Sequence, residues 1–308
     1  MNNNSYINSG GEAILVPSIV CHLDILGWTS LTEKAIESGE GLAFLRKIRE
    51  TLGNAYRLLR KDATEPLRPN EQYYQIKTFT DNIVVAIPYR RLRLEGEAEL
   101  VTIFNIFRIL QLELVRNGLL LRGAVAFGDH YMDDDFVFGD ALLEAVKYEK
   151  SGGPPRIVLG PSISKRVKTH IDFYSGHIRH TPHFGYLFMD TDGELFIDYL
   201  SRAFMAYPGP IFFDILESHR KLIYKNLKEY SLEEDTLKKY KWLAGYHNFV
   251  CNHFVSENPM PWEPDEEDYA NFVEVQKVTN FLIDSQEEFP QPTHLEVWWN
   301  RNCCECQD

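Results

Sequence analysis

An aspartate interrupts an apolar run near the start of the chain. Asp24 lies in the segment ILVPSIVCHLDIL, which is rich in β-branched and large aliphatic residues and is followed by Gly27. Such a composition predicts a buried strand. A carboxylate inside it must be ion-paired, protonated or bound to a cation, because an isolated buried charge is very costly. On this window alone, a salt-bridging aspartate near a strand end and a metal ligand are both open interpretations.

A second aspartate, Asp81, lies between two apolar runs, YYQIKTF and NIVVAIP, that predict a tight hairpin. By itself it is equally well explained as a turn residue, because aspartate is favoured in turns. If the first strand lies beside this hairpin, Asp24 and Asp81 converge at one end of the sheet. Two adjacent carboxylates share a proton or bind a cation, and oxygen ligands suit Mg²⁺ or Mn²⁺ better than zinc.

The elements around these aspartates follow the order β-α-β-β-α-β, with a further β-α-β segment behind it. The long helical patterns are GLAFLRKIRETLGNAYRLLRK and EAELVTIFNIFRILQLELVRNG. This order predicts an α+β fold with a ferredoxin-like (split βαβ) core, with helices on one face of the sheet and the other face free. Beyond residue 205 the pattern becomes helical. We therefore expect a polar N-terminal tail (1–13), one domain (14–204) and a helical C-terminal extension (205–308).

Composition limits the classes of function. The chain has 308 residues, 44% of them hydrophobic and 25% charged, which is typical of a soluble globular protein. A net charge of -13 argues against a nucleic-acid binder, although a local basic pocket still permits a nucleotide ligand. No apolar run approaches the roughly 18 residues that cross a bilayer. The start, MNNNSYINSGGEA, has no secretory-signal features, so we expect a cytoplasmic protein without a membrane partner.

Five cysteines are few for this length. Cys21 and Cys251 stand alone in apolar surroundings and are expected to pack as small hydrophobic side chains. The tail NCCECQD places Cys303, Cys304 and Cys306 together, but no histidine or second cysteine pair stands at a familiar zinc-site spacing. Whether this tail binds a metal stays open, and nothing in the cysteine usage requires an oxidising compartment.

Four motifs together resemble those of the class III nucleotidyl cyclases. HLDILGWTSL resembles the first metal motif of that family, and KTFTD resembles the hairpin that carries its second metal aspartate. LLLRGAVAFG and FVFGDALLEAVKYEK match the strand and helix that follow. All four occur in the family's order over about residues 14 to 160. The resemblance implies that the ribose 3′-oxygen of a nucleoside triphosphate attacks its α-phosphorus.

The resemblance also implies roles for single residues. Asp24 and Asp81 would bind two Mg²⁺ or Mn²⁺ ions, together with the backbone carbonyl of Ile25. Arg122 would contact the outgoing phosphates, since its planar fork binds phosphate oxygens in pairs. A surface arginine at the start of a strand is the alternative interpretation. The turn at Gly27 would let backbone groups approach the triphosphate. The neighbouring Trp28 joins the candidate nucleotide-binding residues.

The base would be read from the same face of the sheet. His22 and Lys77 precede the two aspartates by two and four residues, so they share their face, and Phe79 lies on the same pocket wall. For His22, a structural histidine is an equally good interpretation. Lys147 stands where the family has its transition-state arginine, and it is interpreted either as a catalytic residue or as a solvated helix residue.

Departures from the family motifs narrow the range of possible substrates. Leu143 replaces the transition-state asparagine and Thr80 replaces the glycine before the second aspartate, which argues against an ordinary adenylate or guanylate cyclase. The motif set is most similar to the bacterial Pycsar-type uridylate and cytidylate cyclases of antiphage defence. The resemblance therefore implies a homodimer with shared active sites that converts UTP, and next CTP, into a cyclic nucleotide. An adenylate cyclase and an inactive nucleotide-binding module are the alternatives.

Overall fold

The computed structural model describes residues 4–63, 74–89, 96–149, 153–207, 209–259, 265–284 and 288–302. Strands and helices alternate in its first half, and helices dominate its last third. The strands are β1 (Val16–Ile25), β2 (Gln75–Phe79), β3 (Asn82–Pro88), β4 (Leu121–Met132), β5 (Val137–Gly139), β6 (Ile157–Leu159), β7 (Leu187–Met189), β8 (Leu195–Ile197) and β9 (Thr293–His294). The helices are α1 (Trp28–Glu37), α2 (Gly41–Ala63), α3 (Glu97–Arg116), α4 (Asp140–Glu149), α5 (Pro161–Phe173), α6 (Arg202–Ala206), α7 (Gly209–Glu229), α8 (Glu234–Glu257), α9 (Glu266–Gln276) and α10 (Leu295–Asn302).

Four strands form one end of the sheet in the order β2–β3–β1–β4, and each neighbouring pair is antiparallel. Helices α1 and α2 connect β1 to β2, and α3 connects β3 to β4. This is the split βαβ arrangement, so the predicted ferredoxin-like α+β fold is confirmed. The sheet continues through β6, which is parallel to β4, and then through β8, β7 and β9, while β5 pairs with β4.

The side chains of β1 alternate between the two faces of the sheet. Ile19, Cys21 and Leu23 are buried in the cluster formed with α2, α3 and α5. His22 and Asp24 point to the opposite face, as the period of two along a strand requires. Cys21 is a buried free thiol, as its apolar setting predicts. One strand thus supplies the hydrophobic core and the polar site at once.

The opposite face of the sheet is largely covered, so the prediction that it is free was wrong. Helix α4 lies over β1 and β4 through the small side chains of Ala141 and Ala145, both buried. Helices α7 and α8 cover the part of the face that carries Val158 and Phe196. The β2 edge of this face stays accessible, and Phe79 there is 49% exposed. A stripe of alanines lets a helix approach a sheet closely, which explains how α4 fits there.

Both ends of the described chain join the core. Tyr6, in the polar N-terminal tail, is fully buried and its hydroxyl lies 3.0 Å from the Ser18 hydroxyl. In the C-terminal extension, β9 pairs with β7, and Trp298 and Trp299 of α10 belong to the cluster under α2, α3 and α5. The extension therefore contributes to the same hydrophobic core as residues 14–204.

Helix α8 is fastened to the sheet by buried hydrogen bonds. The indole of Trp242 donates to Asp190 at 2.7 Å, and Asp190 also pairs with the buried Arg156. The hydroxyl of Tyr246 donates to Asp198 at 2.6 Å. Buried polar groups cost free energy unless they are paired, so these contacts fix the position of α8.

Two further expectations from the sequence concern membranes and cysteines. None of the helices in the described ranges combines the length and the apolar character needed to cross a membrane. Cys251, like Cys21, is a buried free thiol, as predicted. The cysteine tail, with Cys303, Cys304 and Cys306, lies outside the described residues.

Candidate active site

The strand register places the predicted site residues in two adjacent rows on one face of the sheet. In the first row Phe79 stands opposite Asn82, Asn82 opposite Asp24, and Asp24 opposite Arg122. Residues directly opposite on neighbouring strands point to the same face. The first row therefore brings Asp24 and Arg122 side by side, at the end of β1.

The second row runs parallel to the first, one side-chain step further from the end of β1. Lys77 stands opposite Val84, Val84 opposite His22, and His22 opposite Ala124. Lys77 and His22 are thus two strands apart, which separates their backbones by roughly 10 Å. They share a face, as predicted, but they do not lie beside each other.

The two aspartates meet at the end of β1. The N–H of Ile25 donates to the backbone carbonyl of Asp81 at 3.1 Å, which ties the end of β1 to the β2–β3 turn. The carboxyl groups of Asp24 and Asp81 lie within hydrogen-bonding reach of each other. The structure therefore brings together the pair that the sequence predicted from strand order.

The turn that carries Asp81 is conformationally unusual. Thr80 has a φ of 53°, in the left-handed region that a β-branched residue rarely adopts. Its hydroxyl donates to the Asp81 carboxylate at 2.7 Å, and the Asn82 amide donates to the same oxygen at 2.9 Å. These two bonds orient the Asp81 carboxylate towards the end of β1.

The surroundings of the two aspartates shift their pKa values in opposite directions. Burial raises the pKa of Asp24; the guanidinium of Arg122 works against this, and the negative charge of Asp81 adds to it. Partial burial would raise the pKa of Asp81 too, but the hydrogen bonds from Thr80 and from its other neighbours lower it overall. The pKa of one acid of the pair is thus raised and that of the other is lowered, as expected for adjacent carboxylates.

Arg122 bridges two acids. Its Nε lies 2.7 Å from Oδ2 of Asp24 and 3.0 Å from Oε1 of Glu149. The other oxygen of Glu149 lies 3.8 Å from Nδ1 of His22, and both side chains are buried. The structure thus places His22 next to Glu149, the arrangement of a structural histidine.

Sequence reasoning missed Glu149. Its signal was present, because Ala141, Ala145 and Glu149 recur every four residues and so define one face of α4. All three are buried. An acid that continues an alanine stripe points into the protein, and here it points at Arg122.

Sequence reasoning also missed Lys239, which comes from α8 in the C-terminal extension. Its charge interacts with those of Arg122 and Asp24, so it lies near the acid pair. Burial lowers its pKa, the positive charge of Arg122 lowers it further, and Asp24 opposes this effect. No local pattern could have revealed this residue, because only the tertiary position of α8 brings it here.

Lys77 and Phe79 form the accessible edge of the site. The ammonium of Lys77 donates to the backbone carbonyl of Asp133 at 3.3 Å and lies 5.4 Å from the centre of the Phe79 ring. A cation beside an exposed aromatic ring is a suitable surface for a flat, polar base. This edge continues towards the loop that contains Asp133.

Two predicted nucleotide-binding residues lie at the start of α1. Gly27 has a φ of 75°, and a Cβ added there would meet no neighbouring atom within 4 Å, so backbone conformation alone explains the glycine. Trp28 packs against Phe44, with ring centres 5.9 Å apart. The predicted turn after β1 is present, and the indole that follows it is held by its packing against Phe44.

Lys147 is not brought to the acid pair of its own chain. It lies on the exposed face of α4, one turn from Leu143, which is 71% exposed. The inner face of the same helix carries Glu149. Within one chain, the catalytic candidates are therefore Asp24 and Asp81, with Lys147 pointing outwards.

The donor set fits a hard divalent cation. Asp24 and Asp81 offer adjacent carboxylate oxygens, and the side chain of Asp24 is 13% exposed, so solvent reaches it. Oxygen ligands with solvent access are those of Mg²⁺ and Mn²⁺ sites. Arg122 and Lys239 add positive charge beside the acids, which suits an anionic phosphate ligand. The site can therefore hold a cation and a phosphate side by side.

Two solved structures that are similar to this chain are cyclases. A bacterial light-regulated adenylyl cyclase is 13% identical, with 61% of this chain and 53% of that chain covered and a TM-score of 0.38. The guanylyl cyclase Cya2 is 12% identical, with 50% of this chain and 78% of that chain covered and a TM-score of 0.32. The chain thus spans about half the length of the first.

No protein-family model matches the chain, and no curated protein matches it. Similarities as distant as those to the two cyclase structures assign neither a family nor an activity. The fold assignment rests on the strand order and register, which place Asp24 beside Arg122 at one end of the sheet, next to the turn that carries Asp81.

Proposed function

We propose that the protein is a metal-dependent nucleotidyl cyclase that converts UTP into cyclic UMP and pyrophosphate, with CTP as the next substrate. The observation that carries this proposal is the convergence of Asp24 and Asp81 beside Arg122, at one end of a ferredoxin-like sheet. The motif resemblance described above supplies the class of reaction. The geometry supports it because the paired acids and the basic groups match the two parts of a metal–triphosphate substrate.

In this reaction the ribose 3′-oxygen forms a bond to the α-phosphorus, the bond from that phosphorus to the β-phosphate oxygen breaks, and the 3′-hydroxyl proton passes to solvent. Two Mg²⁺ or Mn²⁺ ions, bound by Asp24, Asp81 and the Ile25 carbonyl, would lower the pKa of the 3′-hydroxyl and neutralise the leaving pyrophosphate. Asp24 and Asp81 would hold the cations that bind the triphosphate, and the turn at Gly27 would give it room.

Arg122 and Lys239 are proposed to bind the phosphates. In the substrate-free protein Arg122 pairs with Asp24 and Glu149. A triphosphate offers more negative oxygens than one carboxylate, so Arg122 exchanges Asp24 for phosphate and leaves that acid to the cations. Glu149 keeps hold of the guanidinium during this exchange and thereby positions it.

The base is proposed to lie on Lys77 and Phe79. Uracil presents two carbonyl acceptors, and a lysine donates to such oxygens. The Phe79 ring, 49% exposed, offers a stacking surface. His22 is proposed to act indirectly, by positioning Glu149, because it is buried beside that residue.

The active enzyme is proposed to be a homodimer with shared sites. Lys147 and Leu143 point outwards from α4, where they can reach the site of a second copy but not their own. A groove lined by exposed Leu15, Phe136 and Phe138 lies nearby and provides apolar surface for the contact. Such self-complementary contacts are typical of two-fold dimers.

The biological role that the resemblance implies is second-messenger synthesis in bacterial antiphage defence, in the cytoplasm. Its test is a cell assay. Expression of the wild-type chain, but not of an Asp81→Ala variant, should raise cyclic UMP in bacteria. If both chains leave cyclic UMP at the same level during phage infection, this role is wrong.

The activity itself is tested with purified protein, Mn²⁺ and each of the four nucleoside triphosphates, with products identified by mass spectrometry. We expect cyclic UMP to form fastest and cyclic CMP next. Asp81→Ala should abolish turnover, while Asp235→Ala, an exposed acid on α8, should leave it intact.

Each other outcome selects an alternative. Faster conversion of ATP would show an adenylate cyclase. Binding of UTP without any cyclic product, in the presence of Mn²⁺ and at dimer-forming concentration, would show an inactive nucleotide-binding module. The departures at Leu143 and Lys147 are the sequence features that keep this module in consideration.

A further inference from the structure

A second cluster of metal-ligating side chains lies where α3, α5 and the segment before β7 meet. Glu97 begins α3, His170 lies in the last turn of α5, and His183 precedes β7. One ligand atom from each of these three side chains lies within 4.8 Å of the other two. All three are buried, with exposed fractions of 4%, 4% and 0%. The proposed cyclase site makes no use of them.

Hydrogen bonding leaves part of this cluster unsatisfied. The Tyr174 hydroxyl donates to Oε2 of Glu97 at 3.0 Å, but Oε1 of Glu97 has no hydrogen-bond partner among the described residues. None of the ion pairs in the described part of the chain includes Glu97. A buried carboxylate that is not paired with a cation is costly, which makes Glu97 a suitable ligand for a metal ion.

A second buried histidine pair shows what a satisfied arrangement looks like. Nδ1 of His219 lies 2.8 Å from Nδ1 of His247, and the outer nitrogens reach the Tyr199 hydroxyl and the Phe281 carbonyl, each at 2.9 Å. Every ring nitrogen of that pair has a partner, and it belongs to no metal-ligating cluster found among the described residues. Histidine pairing alone therefore does not explain why Oε1 of Glu97 has no hydrogen-bond partner among the described residues.

We propose that Glu97, His170 and His183 bind a zinc ion that ties the start of α3 to α5 and to the segment before β7. Imidazole nitrogens and one carboxylate oxygen are typical zinc ligands, with bonds of about 2.0–2.2 Å. Nδ1 of His170 and Nε2 of His183 are 3.0 Å apart, close to the roughly 3.3 Å between neighbouring ligands of a tetrahedral zinc.

The proposed zinc ligands are two imidazole rings and one carboxylate. This donor set differs in kind from the all-oxygen set at Asp24 and Asp81. Mixed nitrogen and oxygen ligands favour zinc over Mg²⁺. The two sites should therefore bind different metals.

Metal analysis of the purified chain tests the proposal. After incubation with zinc and gel filtration, the wild-type protein should hold one zinc per chain by mass spectrometry. His183→Ala and Glu97→Gln should lose most of it. His247→Gln, in the satisfied pair, should retain it, and so should a variant with Cys303, Cys304 and Cys306 changed to serine, which removes the thiol tail as an alternative site.

Cobalt substitution keeps the test decisive if a variant fails to fold. Wild-type protein stripped of metal and loaded with Co²⁺ should show the visible absorption of a tetrahedral site without a thiolate charge-transfer band. A zinc content near zero in the zinc-treated wild type, or a zinc content that Glu97→Gln and His183→Ala leave unchanged, would overturn the assignment. So would a cobalt spectrum dominated by thiolate ligation. Cyclase activity with Mn²⁺ is a separate readout and does not enter this test.

Discussion

At the scale of single residues, Arg122 decides how the acid pair exists without substrate. Two adjacent carboxylates repel each other, and Arg122 offsets this repulsion by pairing with Asp24 at 2.7 Å. Glu149 holds the same guanidinium from its other side at 3.0 Å. The arrangement keeps the guanidinium that is proposed to bind phosphate close to the two acids.

Lys239 gives the residue-scale prediction. If it binds the triphosphate, Lys239→Ala should raise the KM for UTP by roughly 10- to 100-fold, the equivalent of one lost charge-assisted hydrogen bond of about 1.5–3 kcal/mol. The effect on kcat should be smaller, because the acid pair is unchanged. Steady-state kinetics with saturating Mn²⁺ measure both constants.

Lys238→Ala is the matched control for this prediction. Lys238 is the preceding residue on α8, but it is exposed and pairs with Glu234 on the same helix. Its removal should leave KM unchanged. Equal KM values for the Lys238 and Lys239 variants would show that α8 contributes nothing to triphosphate binding.

At the scale of elements, the turn between β1 and α1 sets the geometry next to Asp24. Gly27 adopts a φ of 75° and opens the helix that follows. An L-residue pays about 1–2 kcal/mol in this left-handed region. Since a Cβ at Gly27 would meet no neighbouring atom within 4 Å, only the backbone is at stake.

Two glycine substitutions should therefore have opposite signs. Gly27→Ala should lower the free energy of unfolding by about 1–2 kcal/mol. Gly53→Ala, inside α2 and equally free of clashes, should raise it by up to about 1 kcal/mol, because alanine is the better helix former. Urea unfolding of both variants measures the difference. A stabilised Gly27→Ala protein would show that this turn is not left-handed in solution.

The acid pair was predictable from the sequence because local rules determine where each aspartate lies on the sheet. Strand alternation sets the face of Asp24, the short hairpin sets the position of Asp81, and the ferredoxin-like strand order brings β1 beside β3. The same alternation rule correctly placed His22 and Lys77 on one face. It gives no information on how many strands separate two residues within the sheet. Val84 separates them, so they do not form one base-reading pair.

The rest depended on tertiary contacts. The covered sheet face was not predicted. The stripe formed by Ala141 and Ala145 indicates that α4 packs closely against another element, but it does not indicate which element that is. Lys239 was missed because its position depends on buried bonds such as that from Trp242 to Asp190, far away along the chain. Such long-range pairing leaves no periodic signal in the sequence.

At the scale of the whole molecule, buried histidines couple folding to pH. Burial lowers the pKa of His247 and of His130 to about 4, and it holds the pKa of His219 well below its usual range. In the unfolded chain each titrates near 6.5. Between about pH 6.5 and pH 4 the unfolded state thus binds more protons than the folded state, so folding is favoured less as pH falls.

We expect the melting temperature to be highest above about pH 6.5 and to fall steadily from there towards pH 4. His130→Leu should make this slope shallower, because it removes one of the groups that titrate differently in the folded and unfolded states. The substitution removes no hydrogen bond among the described residues, because neither ring nitrogen of His130 has a partner there. His180→Gln, at an exposed histidine, should leave the slope as it is. Differential scanning calorimetry from pH 7.5 to 4 gives the comparison, and identical slopes for wild type and His130→Leu would contradict it.

Shared active sites give the last prediction, at the scale of the dimer. Asp81 lies at the acid pair, whereas Lys147 points outwards from α4, so a complete site would take Asp81 from one copy and Lys147 from the other. Asp81→Ala and Lys147→Ala proteins should each be nearly inactive alone. After mixing and subunit exchange, half of the dimers are mixed, and each mixed dimer has one site that carries neither change. Activity should recover to about a quarter of the wild-type value per chain, measured as cyclic nucleotide formed from UTP. Activity that stays at the average of the two separate variants would show that each chain forms its site alone.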